Sequence, residues 1–324
     1  MKRYTLKAYG LQTLEWFEGK VVDWNSAGKQ YSIDGTTTQL QKYYHGFSCD
    51  ASITSENGEF VLVYQKLGTK GLLLKNGIVH REINRSYYLS SVYEFPAAFV
   101  TYKNRTYLVH CPIKYCQLDI EDAETGEIIT NTKERKPHDF FHSRLEVSPD
   151  QKHILSKGWY WHPWDGIELF TVEDCFSNPT LLDERNAPPN VGTEINSASF
   201  INNEEILLGT SREEYDDEED EPIPPSHLGI WNIKTNEIKN VVKSKGTYGN
   251  IFAIDDKKCW DLYEYPKIIS LENGEIIDEA KDVFSGRQAS SIIHHLDDLP
   301  KIAYDKKHKH IAIGYDDKIE ILTL

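Results

Sequence analysis

Six copies of one unit, a strand, a polar turn, a second strand and then a hairpin, predict an all-β ring of four-stranded blades, a β-propeller. The units begin near Phe47, Ala97, His142, Ile195, Gly249 and Ile302, so successive starts differ by 50, 45, 53, 54 and 53 residues. That spacing belongs to propeller blades and not to helical solenoids. The last copy ends at Leu324 one strand short, and its open edge needs a partner from elsewhere in the chain.

Taken in order, Tyr4-Thr5-Leu6-Lys7-Ala8 is the natural partner for that edge, closing the ring by completing the final blade. The segment from Leu11 to Gly46 follows. Its Val21-Val22-Asp23-Trp24, the turn Ser26-Ala27-Gly28, Tyr31-Ser32-Ile33 and Thr36 to Leu40 read as a degenerate extra blade, which makes seven. Seven blades take about 46 residues each and six would take about 54, so seven is preferred; six remains the alternative if this segment is a cap.

The first half of each later unit is FSCDASITSENGEFVLVY, AAFVTYKNRTYLVH, HSRLEVSPDQKHILSKG, INSASFINNEEILLGT and, at the end, IAYDKKHKHIAIGY. The hairpins are LLLKNGIVHREI, LDIEDAETGEIIT, IWNIKTNEIKNV and IISLENGEIIDE, turning at Asn76-Gly77, Thr125-Gly126, Thr235-Asn236 and Asn273-Gly274. Those residue types accept positive φ cheaply, as hairpin turns require. The clearest unit runs from His142 to Asp174. Leu145 and Val147 alternate with polar neighbours, Ser148-Pro149-Asp150-Gln151 turns the chain, and His153 to Ser156 resumes an apolar run. Asp165-Gly166 is expected to turn again before Ile167, Leu169 and Thr171, leaving Trp159, Trp161 and Trp164 in the connection.

Ser211 to Glu221, SREEYDDEEDE, carries no apolar stripe and precedes Pro222, Pro224 and Pro225. It reads as a solvated acidic loop, inserted at 211–226 into a single propeller domain spanning 1–324. Asp216, Asp217, Glu218 and Asp220 are hard oxygen donors, but the glycine spacing of a calcium loop is absent, so no metal is assigned there.

Bulk properties narrow the function. Hydrophobic residues make up 39% and aromatics 12%, enough to build a packed core. Fifty-one acidic against 36 basic residues give a net charge of -15, which disfavours nucleic acid or an anionic membrane as a partner and is compatible with a basic protein. No apolar run approaches the roughly 18 residues of a membrane span, and no signal-peptide core follows Met1, so a cytoplasmic location is expected. The five cysteines are odd in number and scattered, as buried reduced thiols would be. Cys111 and Cys116 lie five apart, which is not zinc-ligand spacing. His308 and His310 lack a third ligand at fixed spacing, and no glycine-rich phosphate loop exists. No cofactor is predicted.

In a propeller, connections between the second and third strands and those between blades emerge together around the mouth of the central channel. Here they gather Arg85, Tyr87, Tyr88, Tyr93, Glu94, Tyr115, Trp159, Trp161, His162, Trp164, Asp165, Tyr248, Tyr263 and Arg287. Tyr, Trp and Arg are the residues of interface hot spots. They are also residues that pack blades, since Trp and Tyr bury large area and park a polar tip, and Trp159 and Trp164 fit packing first. His110, His142, His162, His294, His295, Ser143 and Cys111 offer acid, base or nucleophile groups, but no spacing joins them and no catalytic residue is assigned.

The stretch HSRLEVSPDQKHILSKGWYWHPWDGIELF resembles WD40-like β-propellers, with Ser148-Pro149-Asp150 at the turn between the first two strands. It departs from eukaryotic WD40 repeats in lacking Gly-His near blade starts and Trp-Asp at every blade end; Ile230-Trp231-Asn232 comes nearest. The whole chain is similar to a group of bacterial WD40-like proteins of unassigned function, with INRSYY, EDAETGE and GWYWHPWD as the distinctive phrases. The resemblance implies a binding scaffold and transfers no catalytic residue. A non-enzymatic protein-binding propeller is therefore the expectation. The alternatives are a hydrolase or lyase, a small-molecule sensor at the channel mouth, or an immunity protein that neutralises a basic toxin.

Overall fold

The computed structural model describes residues 1–40, 46–188, 190–213 and 221–324. Its strands form seven sheets. Blade 1 is Glu15–Phe17, Lys20–Asp23, Lys29–Tyr31 and Thr37–Gln39; blade 2 is Ala51–Thr54, Phe60–Tyr64, Lys70–Lys75 and Ile78–Asn84. Blade 5 is Ile195–Phe200, Glu205–Thr210, His227–Asn232 and Glu237–Lys243, and blade 6 is Ile251–Ala253, Lys258–Asp261, Lys267–Ser270 and Ile276–Glu279. Blade 7 takes Lys301–Asp305, His310–Gly314 and Lys318–Thr323 from the end of the chain and Lys2–Lys7 from its start. That last pairing is antiparallel, from Lys2 opposite Thr323 to Lys7 opposite Lys318, so the degenerate blade and the ring closure expected from the sequence are both present.

The ring is visible in the core. Seven apolar clusters each join two adjacent blades: Val22 and Trp24 of blade 1 meet Val61 and Val63 of blade 2, and so on round to Leu6, Ile319 and Ile321 of blade 7 against Val21 and Tyr31 of blade 1. Position within a blade sets sequence character. The second strand Phe60–Tyr64 is buried throughout and reads FVLVY, whereas the outer strands Glu237–Lys243 and Thr37–Gln39 are largely exposed and polar. A strand covered on both faces reads as a continuous apolar run, and one at the rim does not. Asn76 and Asn236 take φ of 50° and 61° at their hairpin turns.

Two blades depart from the four-stranded pattern. Blade 3, Ala97–Tyr102, Arg105–His110 and Asp119–Asp122, reduces its outer strand to one bridge between Glu121 and Ile128. In blade 4 the short helix Val172–Ser177 and the 3₁₀ turn Pro179–Asp183 follow the third strand, Trp164–Thr171, in place of an outer strand. Val172, Cys175 and Leu182 bury themselves against blade 3. The inner strand of blade 4 is split: Phe140–Phe141 pairs with Tyr160 and Trp159, Glu146–Val147 pairs with Leu155 and Ile154, and Arg144 between them takes φ 43°.

Strands His153–Tyr160 and Trp164–Thr171 have eight residues each, the longest in the ring. They correct one expectation. Asp165-Gly166 is not a turn but lies in the ladder, opposite Trp159 and Gly158, and the chain reverses at Trp161-His162-Pro163 with His162 at φ 84°. Trp159 and Trp164 therefore belong to strands, and only Trp161 stands in the loop. The Ser148-Pro149-Asp150-Gln151 turn forms as expected, with the Ser148 hydroxyl donating to Asp150 at 2.8 Å and accepting from the His153 N–H at 2.9 Å.

The connection from blade 6 to blade 7 crosses the ring. Its Ser285 donates to Leu262 O at 2.7 Å in blade 6, yet Ser291 donates to Gly158 O at 2.9 Å in blade 4, and Ile293 N–H reaches Val92 O beyond blade 2. Gly249 permits this path, since a Cβ there would stand 2.1 Å from Gln288 O. This strap thus ties blade 6 to blade 4 and to the loop after blade 2.

Candidate functional site

On the strap side, the connections of blades 2, 3 and 4 build one aromatic stack. Phe141 and Trp159 lie face to face, centroids 3.8 Å apart and planes within 5°, because they sit opposite each other in the ladder. Gly158 beside them is required, as a Cβ would come within 2.0 Å of Phe141 O. Tyr115 stacks on Phe141 at 4.4 Å, Tyr88 lies tilted against Tyr115 at 4.8 Å, and Tyr93 meets the Phe141 ring edge to face at 5.5 Å. Trp161 stands 6.1 Å from Phe141 and 6.5 Å from Tyr88. The base of this stack is dry: Tyr93, Phe141 and Trp159 are buried. Its top is wet, with Tyr88 47% and Trp161 45% exposed.

The residues singled out from sequence sort accordingly. Tyr88, Tyr115 and Trp161 come together at the surface, with the Tyr115 hydroxyl donating to Asp139 at 2.7 Å, while the adjacent Tyr87 is exposed and makes no ring contact with them. Arg85, Tyr93 and Trp159 lie underneath. Arg85 is buried with its guanidinium 4.7 Å from the Tyr93 ring centroid, donating to Gly68 O at 2.7 Å and Tyr93 O at 2.9 Å; burial lowers its pKa. Asp165 is buried too, accepting from the Ser291 N–H at 3.0 Å, and burial raises its carboxyl. The Asp165 N–H donates to Glu194, whose carboxyl burial pushes up to about 7. Trp164 is half-buried at the strand start, and His162 is exposed at the turn. Tyr248, Tyr263 and Arg287 lie elsewhere on the ring. The buried Tyr248 donates to Thr210 O at 2.6 Å, Tyr263 lies under Arg212, and Arg287 pairs with Glu264 at 3.1 Å. Of the acidic insertion, residues 214–220, with Asp216, Asp217, Glu218 and Asp220, lie outside the described residues.

Beside Trp161 lies an open groove that sequence reading missed, lined by His138, Asp139, Tyr160, Trp161, Asp183 and Arg185. At its base Glu168, fully buried, accepts from His138 Nε2 at 2.5 Å and from the Tyr160 hydroxyl at 3.0 Å. The bond to Glu168 raises the His138 pKa against the opposing effect of burial, and burial raises that of Glu168. The Arg185 guanidinium lies 4.5 Å from the Tyr160 ring. Only the length of the paired strands reveals this grouping, because its members are up to 47 residues apart.

The histidines named as candidate acids and bases separate. His110 bonds Glu121 at 2.8 Å, but both are buried and neither lines a described cavity. His142 contacts the Ser156 hydroxyl at 3.1 Å, and burial pushes its pKa down to about 3, so it stays neutral. His294 and His295 are exposed on the strap. Among the described residues, no group of three or more His, Cys, Asp or Glu side chains is placed to hold a metal ion.

The channel itself holds a cavity of about 290 Å³ under the strap, to which every blade except blade 3 contributes through its inner strand or the adjoining loops. Glu94 lines it, 3.9 Å from Lys66. No helix among the described residues is long and apolar enough to cross a membrane.

No protein-family model matches the sequence, and no curated protein matches it. Among solved structures, the chain is similar to a chain in a crystal structure of the mitotic checkpoint complex, with a TM-score of 0.59 at 10% identity over 98% of this chain and 88% of the other. At that identity the likeness concerns the fold, a seven-bladed propeller.

Proposed function

We propose that this propeller is a protein-binding scaffold that docks its partner on the aromatic surface formed by Tyr88, Tyr115 and Trp161, with the exposed Tyr87 next to it in the chain. One observation carries the reading: large aromatic side chains stand exposed on a stack whose lower members are locked by packing. A rigid aromatic anchor loses little conformational entropy on binding, and clustered exposed aromatics beside Arg are the makings of a hot spot. Isolated exposed apolar residues need no explanation, whereas a contiguous patch does. The structural neighbour, a chain of a multi-protein complex, is in keeping with a propeller used for assembly.

The net charge of -15 favours a basic partner and steers its approach. A cytoplasmic location and kinship with bacterial WD40-like proteins of unassigned function belong to the same reading. The test compares wild type with Tyr87→Ser/Tyr88→Ser/Trp161→Ser as bait in quantitative affinity capture, with thermal melting of both. Loss of the captured partner from a variant that melts like wild type supports the reading. Retention of the same partner at the same level by the folded variant refutes it.

A further inference from the structure

We propose that the cavity beneath the strap is a binding site for a small anion carrying carboxylate or phosphate oxygens, held by Arg144 and Lys306. Charge gives the first reason. In a chain of net charge -15, the residues lining this cavity include five cations, Lys66, Arg144, Lys157, Lys301 and Lys306, against three carboxylates, Asp50, Glu94 and Glu146. The local sign is the reverse of the global one.

The pairing inside the cavity gives the second. Glu146 is committed to Lys157 at 2.8 Å and also accepts from the Phe200 N–H at 3.2 Å. Lys306 reaches the same carboxylate only at 4.0 Å and otherwise donates to Val147 O at 3.2 Å, with half its side chain still exposed. Arg144 is more telling. Its guanidinium donates to Lys157 O at 3.2 Å, Asn250 Oδ1 at 2.8 Å, Asn196 O at 3.0 Å and Ser291 Oγ at 2.8 Å. All four acceptors are neutral, and among the described residues no carboxylate forms an ion pair with it. Arg has five N–H donors, so one on Nη1 is left over. Asp165 and Glu94 act on it only through space, without a direct bond, and an anion in the adjoining cavity would meet the spare donor at contact distance.

The backbone supports this as design and not accident. Arg144 sits at φ 43° in the break of the blade 4 inner strand, and the Ser291 hydroxyl that holds it comes from the strap. Strap residues Ser285, Gly286 and Gln288 line the cavity together with Lys306, which stands in the turn after the first strand of blade 7. The cavity shares no lining residue with the partner surface, so each reading stands or falls alone.

The test is isothermal titration of the whole protein in low-chloride buffer with inorganic phosphate and with malonate as separate probes, and with neutral malonamide as control. The expected result is saturable binding of at least one anion and none of malonamide; which anion binds tells phosphate from carboxylate recognition. Lys306→Met, at a half-exposed side chain, is expected to fold and to weaken binding roughly tenfold or more, the scale of one charge-assisted hydrogen bond. Arg144→Met is expected to abolish binding. Should that variant not fold, Lys306→Met decides. Absence of saturation with both anions, or undiminished binding by folded Lys306→Met, overturns the proposal.

Discussion

Trp159 and Trp161 are two residues apart, touch the same ring of Phe141, and are expected to respond to truncation in opposite ways. A buried Trp removes about 150–250 Å² from water, worth roughly 4–6 kcal/mol at about 25 cal/mol per Å². Trp159 is 3% exposed and face to face with Phe141, so Trp159→Ala leaves a cavity under the stack and should cost about 3–5 kcal/mol. Trp161 keeps 45% of its surface in solvent, and its removal opens the site to water without enclosing a void. Trp161→Ala should then cost no more than about 2 kcal/mol. Trp159→Phe adds a control. The Trp159 indole N–H has no hydrogen-bond acceptor in the structure, so the smaller ring keeps the stack and removes a buried, unsatisfied donor. Urea denaturation followed by far-UV circular dichroism reads all three, with midpoints compared at constant slope. The order expected is Trp159→Ala far below wild type, Trp159→Phe near it, and Trp161→Ala slightly below it but deficient in partner capture. Equal destabilisation by the two alanine variants would show that Trp161 is a packing residue, and the docking surface would lose its anchor.

Gly158→Ala should destabilise by about 1–3 kcal/mol in the same assay, because the new methyl lands on Phe141 O and forces the split inner strand apart. At the ring closure, burial alone would raise the Glu320 carboxyl, but bonds from Arg3, Lys318 and Thr5 hold it down to about 2. Its folded pKa is below the unfolded value, so this contribution is present above about pH 4.5 and fades as pH falls toward 2; Arg3→Ala should flatten the acid limb of stability between those values and cost about 1 kcal/mol at neutrality, the pair being partly solvated. His138 has the opposite sign. Its pKa is raised by Glu168, so its contribution is full below about pH 6.5 and is lost as pH rises through the raised value. Stability measured from pH 6 to 9 should decline in wild type and not in His138→Gln; an identical slope in both would remove the pair as the cause.

The ring was legible because its evidence is local. Alternation of period two, turn residues at fixed offsets and recurrence near 50 residues all lie within single blades, and even the degenerate first blade betrays itself through Val21-Val22-Asp23-Trp24. What escaped is decided between blades. The strap, SGRQASSIIHHLDDLP, has no period to read, and its course depends on Ser291 meeting Gly158 and on the absence of a side chain at Gly249. The helix Val172–Ser177 is under two turns long, too short to display an apolar stripe. Arg85 and Asp165 read as loop-face residues because charged loop residues are mostly solvated, yet both are interior: Arg85 donates through Nε and Nη2 to backbone carbonyls, its Nη1 left without a partner, and Asp165 accepts from the Ser291 N–H. His138 and Glu168 are neighbours only because two eight-residue strands overshoot the blade and bring them level.

The pairing of Lys2 with Thr323 joins strands from distant parts of the chain. Blades 1 to 6 each pair strands from within about 50 residues of one another, whereas blade 7 needs Lys2–Lys7 to meet Lys318–Thr323. Joining ends some 320 residues apart carries an entropic cost of about 5 kcal/mol before any constant term. Until then Lys2–Lys7 has no partner and Lys318–Thr323 would present a free edge, the kind of surface that templates association between chains. Substitutions in this latch, Arg3 and Thr5 among them, should therefore be felt first as slow refolding and lost yield, and only second as a lower melting temperature.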